Sequence, residues 1–241
     1  MAIFTISDLH LSLSCDKPME IFGSAWDNYI ERTKSEWNNC VASDDTVFIG
    51  GDVSWAMHLE DCGRDFEFIN SLNGSKVISK GNHDYWWESL TKMNKFLEDN
   101  GFSTISFMQN NSFLYNGCLI CGSRGWILPG DSGFSQNDRK IYERELQRLE
   151  LSFADGRKKC IQQGIEPVRR ICILHYPPFT REHVPDEGFV KMMRKYRVTD
   201  CFYGHLHASA AKNAFEGETG GISYKLVSAD YLHFKPYMIE Q

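Results

Sequence analysis

The chain has 241 residues, 42% hydrophobic and 24% charged, a balance that excludes disordered and fibrous classes and fits one α/β domain. Its formal net charge of −6 disfavours wrapping of a long nucleic acid, which needs a basic surface to release counterions. The clusters Arg157-Lys158-Lys159 and Arg169-Arg170 have acidic neighbours and read as solvated faces. No apolar run approaches the roughly eighteen residues of a membrane span. The start, Met1 to Asp8, carries neither a basic n-region nor a cleavage signal, so the cytoplasm is the expected compartment. Of the eight cysteines only Cys118 and Cys121 form a CxxC, inside an apolar run. That reads as buried, reduced thiols rather than zinc ligands or disulfides.

Short apolar runs alternate with helical periodicity, and no repeat or linker divides the chain, so a single domain over 1–241 is expected. Strand patterns cover Ile3 to Ile6, Thr46 to Ile49 and Lys76 to Ser79. Helical patterns lie between and after them at Trp26 to Val41, Leu59 to Leu72 and Trp87 to Glu98. Three strand-like runs follow without a helix, Thr104 to Phe107, Ser112 to Tyr115 and Cys118 to Cys121, and read as antiparallel pairs. A long helix is expected over Asn137 to Gln162, a strand over Ile171 to Leu174, a helix over Gly188 to Tyr196 and a strand over Cys201 to Tyr203. Terminal strands are expected at Ser223 to Ser228 and Lys235 to Ile239. The pattern predicts an α/β fold with mixed sheets flanked by helices.

Five apolar runs each deliver oxygen or imidazole side chains at their carboxyl ends, where α/β sheets place their sites. These are Asp8 and His10, Asp52, Asn82-His83-Asp84, His175, and His205 with His207. Neutral imidazoles with carboxylate or amide oxygens suit a first-row divalent metal. Seven candidate ligands exceed the need of one ion, and a shared carboxylate between two ions is the natural solution. Two such ions bring more positive charge than Asp8 and Asp52 return, so the site suits an anionic substrate such as a phosphate.

Asp8-x-His10, Gly51-Asp52, Gly81-Asn82-His83-Asp84, His175 and Gly204-His205-x-His207 resemble the five ordered blocks of the calcineurin-like metallophosphoesterases. The resemblance implies a four-layer α/β/β/α sandwich of two mixed sheets with a dinuclear metal centre. By position, it assigns Asp8, His10 and His207 to one ion and Asn82, His175 and His205 to the other, with Asp52 bridging. It further implies attack on phosphorus by a metal-bridging hydroxide, with His83 matching the family's non-ligand histidine at the leaving-group oxygen. His83 is accordingly assigned as general acid, and Asp84 is a candidate either to orient its imidazole or raise its pKa, or to cap the following helix. Mn²⁺ or Fe are the expected ions, with Zn²⁺ an alternative.

Trp55 stands where the purple acid phosphatases place a tyrosine ligand, so no purple chromophore is expected. The arginine that follows the second block in protein serine/threonine phosphatases has no counterpart in Val53-Ser54-Trp55-Ala56-Met57. A phosphorylated small molecule or nucleotide, monoester or diester, is therefore the expected substrate. Arg124, Trp126 and Arg181 are candidates to contact it. Nuclease or cyclic-nucleotide phosphodiesterase activity is the alternative. An inert scaffold of the same fold is disfavoured, because every ligand position is filled. Tyr85-Trp86-Trp87 reads as packing of a helix start, Gly125 to Gly133 as a loop bordering the cleft, and His58, His183 and His233 as ordinary polar residues.

Overall fold

The computed structural model describes residues 1–179 and 187–240. It forms two compact units, Met1–Phe107 with Val227–Gln241, and Met108–Leu226. The candidate residue Arg181, like His183, lies outside the described residues.

In the first unit β1 (Ile3–Ile6), β2 (Thr46–Ile49) and β3 (Ser75–Ser79) run parallel and in register, Ile6 opposite Ile49 and Ile49 opposite Ile78. The residues of β1 and β2 are buried throughout, as expected for parallel strands covered on both faces. β4 (Ile105–Met108) lies beside β3, and the last strand, β11 (Tyr237–Glu240), closes the other edge antiparallel to β1. Helices α1 (Tyr29–Cys40), α2 (Gly63–Ser71) and α3 (Leu90–Asn100) turn one stripe each into the core. Tyr29, Thr33 and Trp37 of α1 follow the i, i+4, i+8 spacing that puts side chains on one helical face. The helix expected from Leu59 opens as a 3-10 turn over Leu59–Cys62 before α2 begins.

The second unit holds β5 (Phe113–Tyr115), β6 (Cys118–Ser123), β7 (Arg169–Leu174), β8 (Asp200–Tyr203), β9 (Gly217–Thr219) and β10 (Ile222–Leu226) in the order β5-β6-β7-β8-β10-β9. β6, β7, β8 and β10 are parallel, and the edge strands β5 and β9 pair antiparallel. Helix α4 (Gln136–Gln163) begins at a Ser135–Asp138 capping box and ends at Gly164 in the left-handed region, φ 64°. It packs closely on β6, since a Cβ on Gly156 would come 2.7 Å from Leu119 Cδ1. Helix α5 (Gly188–Lys195) buries Phe189, Val190 and Met193 in the same core.

The fold is therefore two mixed sheets flanked by helices, as the strand–helix alternation predicts. One strand differs from expectation. The run at 104–107 does not join the following two in a meander: β4 adds to the first sheet, and only β5 and β6 form a hairpin. Ile105 and Phe107 bury in the first unit's core, which decides where that strand goes. The hairpin turns at Asn116 (φ 47°) and Gly117 (φ 74°), both on the positive-φ side that a tight two-residue connection requires. Among the described residues no helix is long and apolar enough to cross a membrane. The eight cysteines carry thiols rather than disulfides.

Candidate functional site

In the first unit three neighbouring parallel strands end side by side, and their next residues are the candidate ligands. The segments leaving β1 and β2 continue to pair: Asp8 N–H donates to Gly51 O at 2.8 Å, His10 N–H to Asp52 O at 2.9 Å and Leu11 N–H to Val53 O at 2.9 Å. This pairing puts Asp8, His10 and Asp52 at one place. His10 Nε2 lies 3.9 Å from Asp8 Oδ1 and 3.8 Å from Asp52 Oδ2. Carboxylate oxygens of Asp8 and Asp52 are within 4.8 Å of each other. All three side chains are buried. Two carboxylates converging in a buried place repel each other unless a cation or proton neutralises them, which makes this donor set fit a divalent ion.

The same three residues share an uncommon backbone conformation. Asp8 (φ 64°), His10 (φ 47°) and Asp52 (φ 51°) are all left-handed, a conformation that costs a non-glycine residue about 1–2 kcal/mol. Such strain persists only where surrounding structure fixes it, and it clusters at functional sites.

The turn after β3 is built against Asp52. His83 N–H donates to Asp52 Oδ1 at 2.7 Å, and a Cβ on Gly81 would collide with the Asp52 carboxylate. Asp84 is fully buried, and both its oxygens face the main chain. Oδ2 accepts from Asp52 N–H at 2.9 Å and Gly81 N–H at 2.7 Å; Oδ1 accepts from Val53 N–H at 2.9 Å and Trp86 Nε1 at 3.1 Å. Asp84 thereby ties the 52–54 loop to the 81–84 turn.

Two further residues bear on the site, Trp55, whose role the sequence left open, and Ser228, which it did not mark. Trp55 stacks on His10, with centroids 4.9 Å apart and planes 23° apart, and leans on His83 at 4.5 Å. Its Nε1–H meets Met19 Sδ at 3.1 Å, and the Lys17 ammonium sits over its ring. Ser228 Oγ donates to Asp8 Oδ2 at 3.2 Å. The serine arrives from the C-terminal segment, and no local pattern marks it. Of the aromatic trio after His83, Trp86 is buried and meets Phe66 edge-on at 5.1 Å, Trp87 packs on Phe107, and Tyr85 is exposed. Packing is therefore what Trp86 and Trp87 do.

In the second unit His175 follows β7 and His205 follows β8, again adjacent parallel strands. His175 N–H donates to Arg124 O at 3.1 Å and Gly204 N–H to His175 O at 3.0 Å. The two imidazoles lie 5.2 Å apart at 72°, and the Tyr176 ring covers His205 at 4.1 Å. His205 too is left-handed, φ 70°. His207 opens the 3-10 turn Ala208–Asn213, its carbonyl accepting from Ala210.

The two substrate candidates of this unit are engaged internally. Arg124 donates to buried Glu145 at 3.0 Å and lies 4.3 Å from the Trp126 ring centroid. Burial lowers the Arg124 pKa, while the Glu145 charge opposes the fall. Trp126 Nε1 donates to Asp138 at 3.1 Å. Arg124 is accordingly half of a buried ion pair.

Residues 1–209 match the family model of the calcineurin-like phosphoesterases. An uncharacterised protein of Methanocaldococcus jannaschii is 24% identical over 204 residues, covering 81% of this chain and 93% of its own. Among solved structures, the phosphopantetheinyl hydrolase of Mycobacterium tuberculosis matches with TM-score 0.54 and 12% identity, over 99% of this chain and 95% of its own. A second structure, the protein TT1561 of Thermus thermophilus, matches with TM-score 0.51 and 12% identity, over 99% and 97%.

Proposed function

The chain belongs to the calcineurin-like phosphoesterase family, and from that premise we propose that it is a dinuclear metal-dependent phosphohydrolase acting on a phosphorylated small molecule or nucleotide. In this reading, which follows the family resemblance, Asp8, His10 and His207 would hold one ion and Asn82, His175 and His205 the other, with Asp52 shared. The observation that carries it is the buried convergence of His10 Nε2 with Asp8 and Asp52 at 3.9 and 3.8 Å, on backbone strained into the left-handed region.

When bound, two divalent ions supply Lewis-acid chemistry, offsetting phosphoryl charge and lowering the pKa of water. The protein's own part is positioning and proton delivery. His83 gives an imidazole proton to the leaving-group oxygen, so the departing group leaves as a neutral alcohol. Its ring is placed by Trp55 and its backbone by Asp52 Oδ1. Asp84 acts further back, fixing the two loops that carry Asp52 and His83. Phosphoryl transfer needs little covalent help beyond such positioning and electrostatic support.

The test is hydrolysis of 4-nitrophenyl phosphate and bis(4-nitrophenyl) phosphate by metal-stripped protein, with Mn²⁺, Zn²⁺ or Fe²⁺ returned. Metal-restored turnover is expected, and the better chromogen distinguishes monoester from diester preference. His83→Ala should retain its metal content and lose about 10²-fold or more in rate. A chain that binds no divalent ion overturns the reading.

A further inference from the structure

The second unit contains a cleft of about 780 Å³ beside the C-terminal part of α4 and the end of α5. Its lining draws on neither the candidate ligands nor His83. Leu119, Phe153 and Ile171 supply apolar surface, and Ile161 and Ile165 extend it, 71% and 38% exposed. Tyr196 stacks flat on Phe153, centroids 4.7 Å apart and planes 15° apart, giving the wall a rigid aromatic face. A shallower hollow of about 300 Å³ shares Arg157, Ile161 and Tyr196 with it.

The charge of this lining runs against that of the molecule. In a chain of net charge −6, the cleft gathers Arg157, Arg170, Lys195 and Arg197 against the single acid Glu166. Arg170 is engaged by Glu166 and Lys195 by Glu150. Arg157 and Arg197 are exposed, and among the described residues neither has an ion-pair partner. Two guanidinium groups without ion-pair partners thus line the same cleft as two exposed isoleucines. Guanidinium forks match carboxylate and phosphate oxygens bidentately, and the volume falls in the range of small-molecule sites, about 300–1,000 Å³.

We propose that this cleft binds a small amphiphilic anion, with its apolar body against Ile161, Ile165 and the Phe153–Tyr196 stack and its carboxylate or phosphate head on Arg157 and Arg197. The site is separate from the proposed hydrolytic residues and does not depend on them.

The test uses the metal-loaded full chain with decanoate, decyl phosphate, decanol and inorganic phosphate as probes. Cys160 lines the cleft at 9% exposure, so its alkylation by N-ethylmaleimide, read by mass spectrometry, reports occupancy locally. Cys15 and Cys40, in the other unit, serve as internal references. Decanoate and decyl phosphate are expected to slow Cys160 alkylation saturably while leaving the reference cysteines unchanged. The tighter of the two identifies the head group. Decanol and inorganic phosphate should bind about tenfold more weakly or worse, each lacking half of the chemistry. Arg157→Gln combined with Arg197→Gln should weaken decanoate by about tenfold or more. Ile161→Asp, at an exposed position, should weaken it by repulsion. The proposal falls if neither amphiphile protects Cys160, or if protection is indifferent to all three substitutions. Decanoate is not a phosphoester, so either result leaves the hydrolase reading to its own test.

Discussion

Asp84 Oδ2 accepts a hydrogen bond from the main-chain N–H of Asp52 at 2.9 Å. The carboxylate is fully buried and accepts from four main-chain N–H groups and one indole. An amide cannot replace it, because one of its two ends is itself a donor. Asp84→Asn and Asp84→Ala are both expected to destabilise the protein by about 3 kcal/mol, as buried donors lose a charged acceptor. Both should also lower bound manganese per chain. Urea unfolding and metal analysis would check this, and an Asn variant as stable and metal-replete as the parent would contradict it.

Gly81 makes a companion prediction. The Asp52 carboxylate occupies the space that a side chain at 81 would need. Gly81→Ala should displace Asp52 and cut hydrolytic activity by about 10²-fold, since small misplacements at a reacting centre cost that much. Gly101→Ala provides the control: it has open space around it and a positive φ of 70°, so it should cost about 1 kcal/mol of stability and leave the rate alone.

Trp55 touches both His10 and His83 but carries no group suited to the chemistry, so it is a positioning residue. Trp55→Ala should lower kcat about tenfold or more with little change in KM, and Trp55→Phe should recover part of the loss. Steady-state kinetics on the preferred chromogen decides it: an unchanged kcat in the alanine variant removes Trp55 from the site.

Lys76 gives a pH-dependent prediction. It is fully buried in β3, and its ammonium donates to Leu72 O at 2.6 Å and Gly74 O at 2.8 Å. Burial lowers its pKa to about 8, against about 10.4 in an unfolded chain. Below pH 8 both states hold the proton and the full cost of burying the charge is present. Between about 8 and 10.4 the unfolded chain binds more protons, so Lys76 destabilises less as pH rises, by a total on the order of 3 kcal/mol. The stability difference between the parent and Lys76→Met, measured by urea unfolding from neutral pH to pH 10.5, should shift in the parent's favour over that window. A flat difference would refute the assignment.

The alternation of strands and helices is legible in the amino-acid order alone, and so is the placing of Asp8, Asp52, Asn82, His175 and His205 just beyond apolar runs. Burial periodicity and the residue following a strand are local properties, readable within a few positions. Whatever depends on distant chain took the folded molecule to settle. β4 went to the first sheet because Ile105 and Phe107 found that core. Asp84 found the N–H groups of a loop some thirty residues earlier in the chain. Ser228 came to Asp8 from the far end of the sequence. Lys76, a charged residue in an alternating run, was buried because the carbonyls at 72 and 74 converge on its ammonium. A sequence states which groups can donate or accept; which partner each finds, and whether water is excluded there, follows only once the strands are side by side.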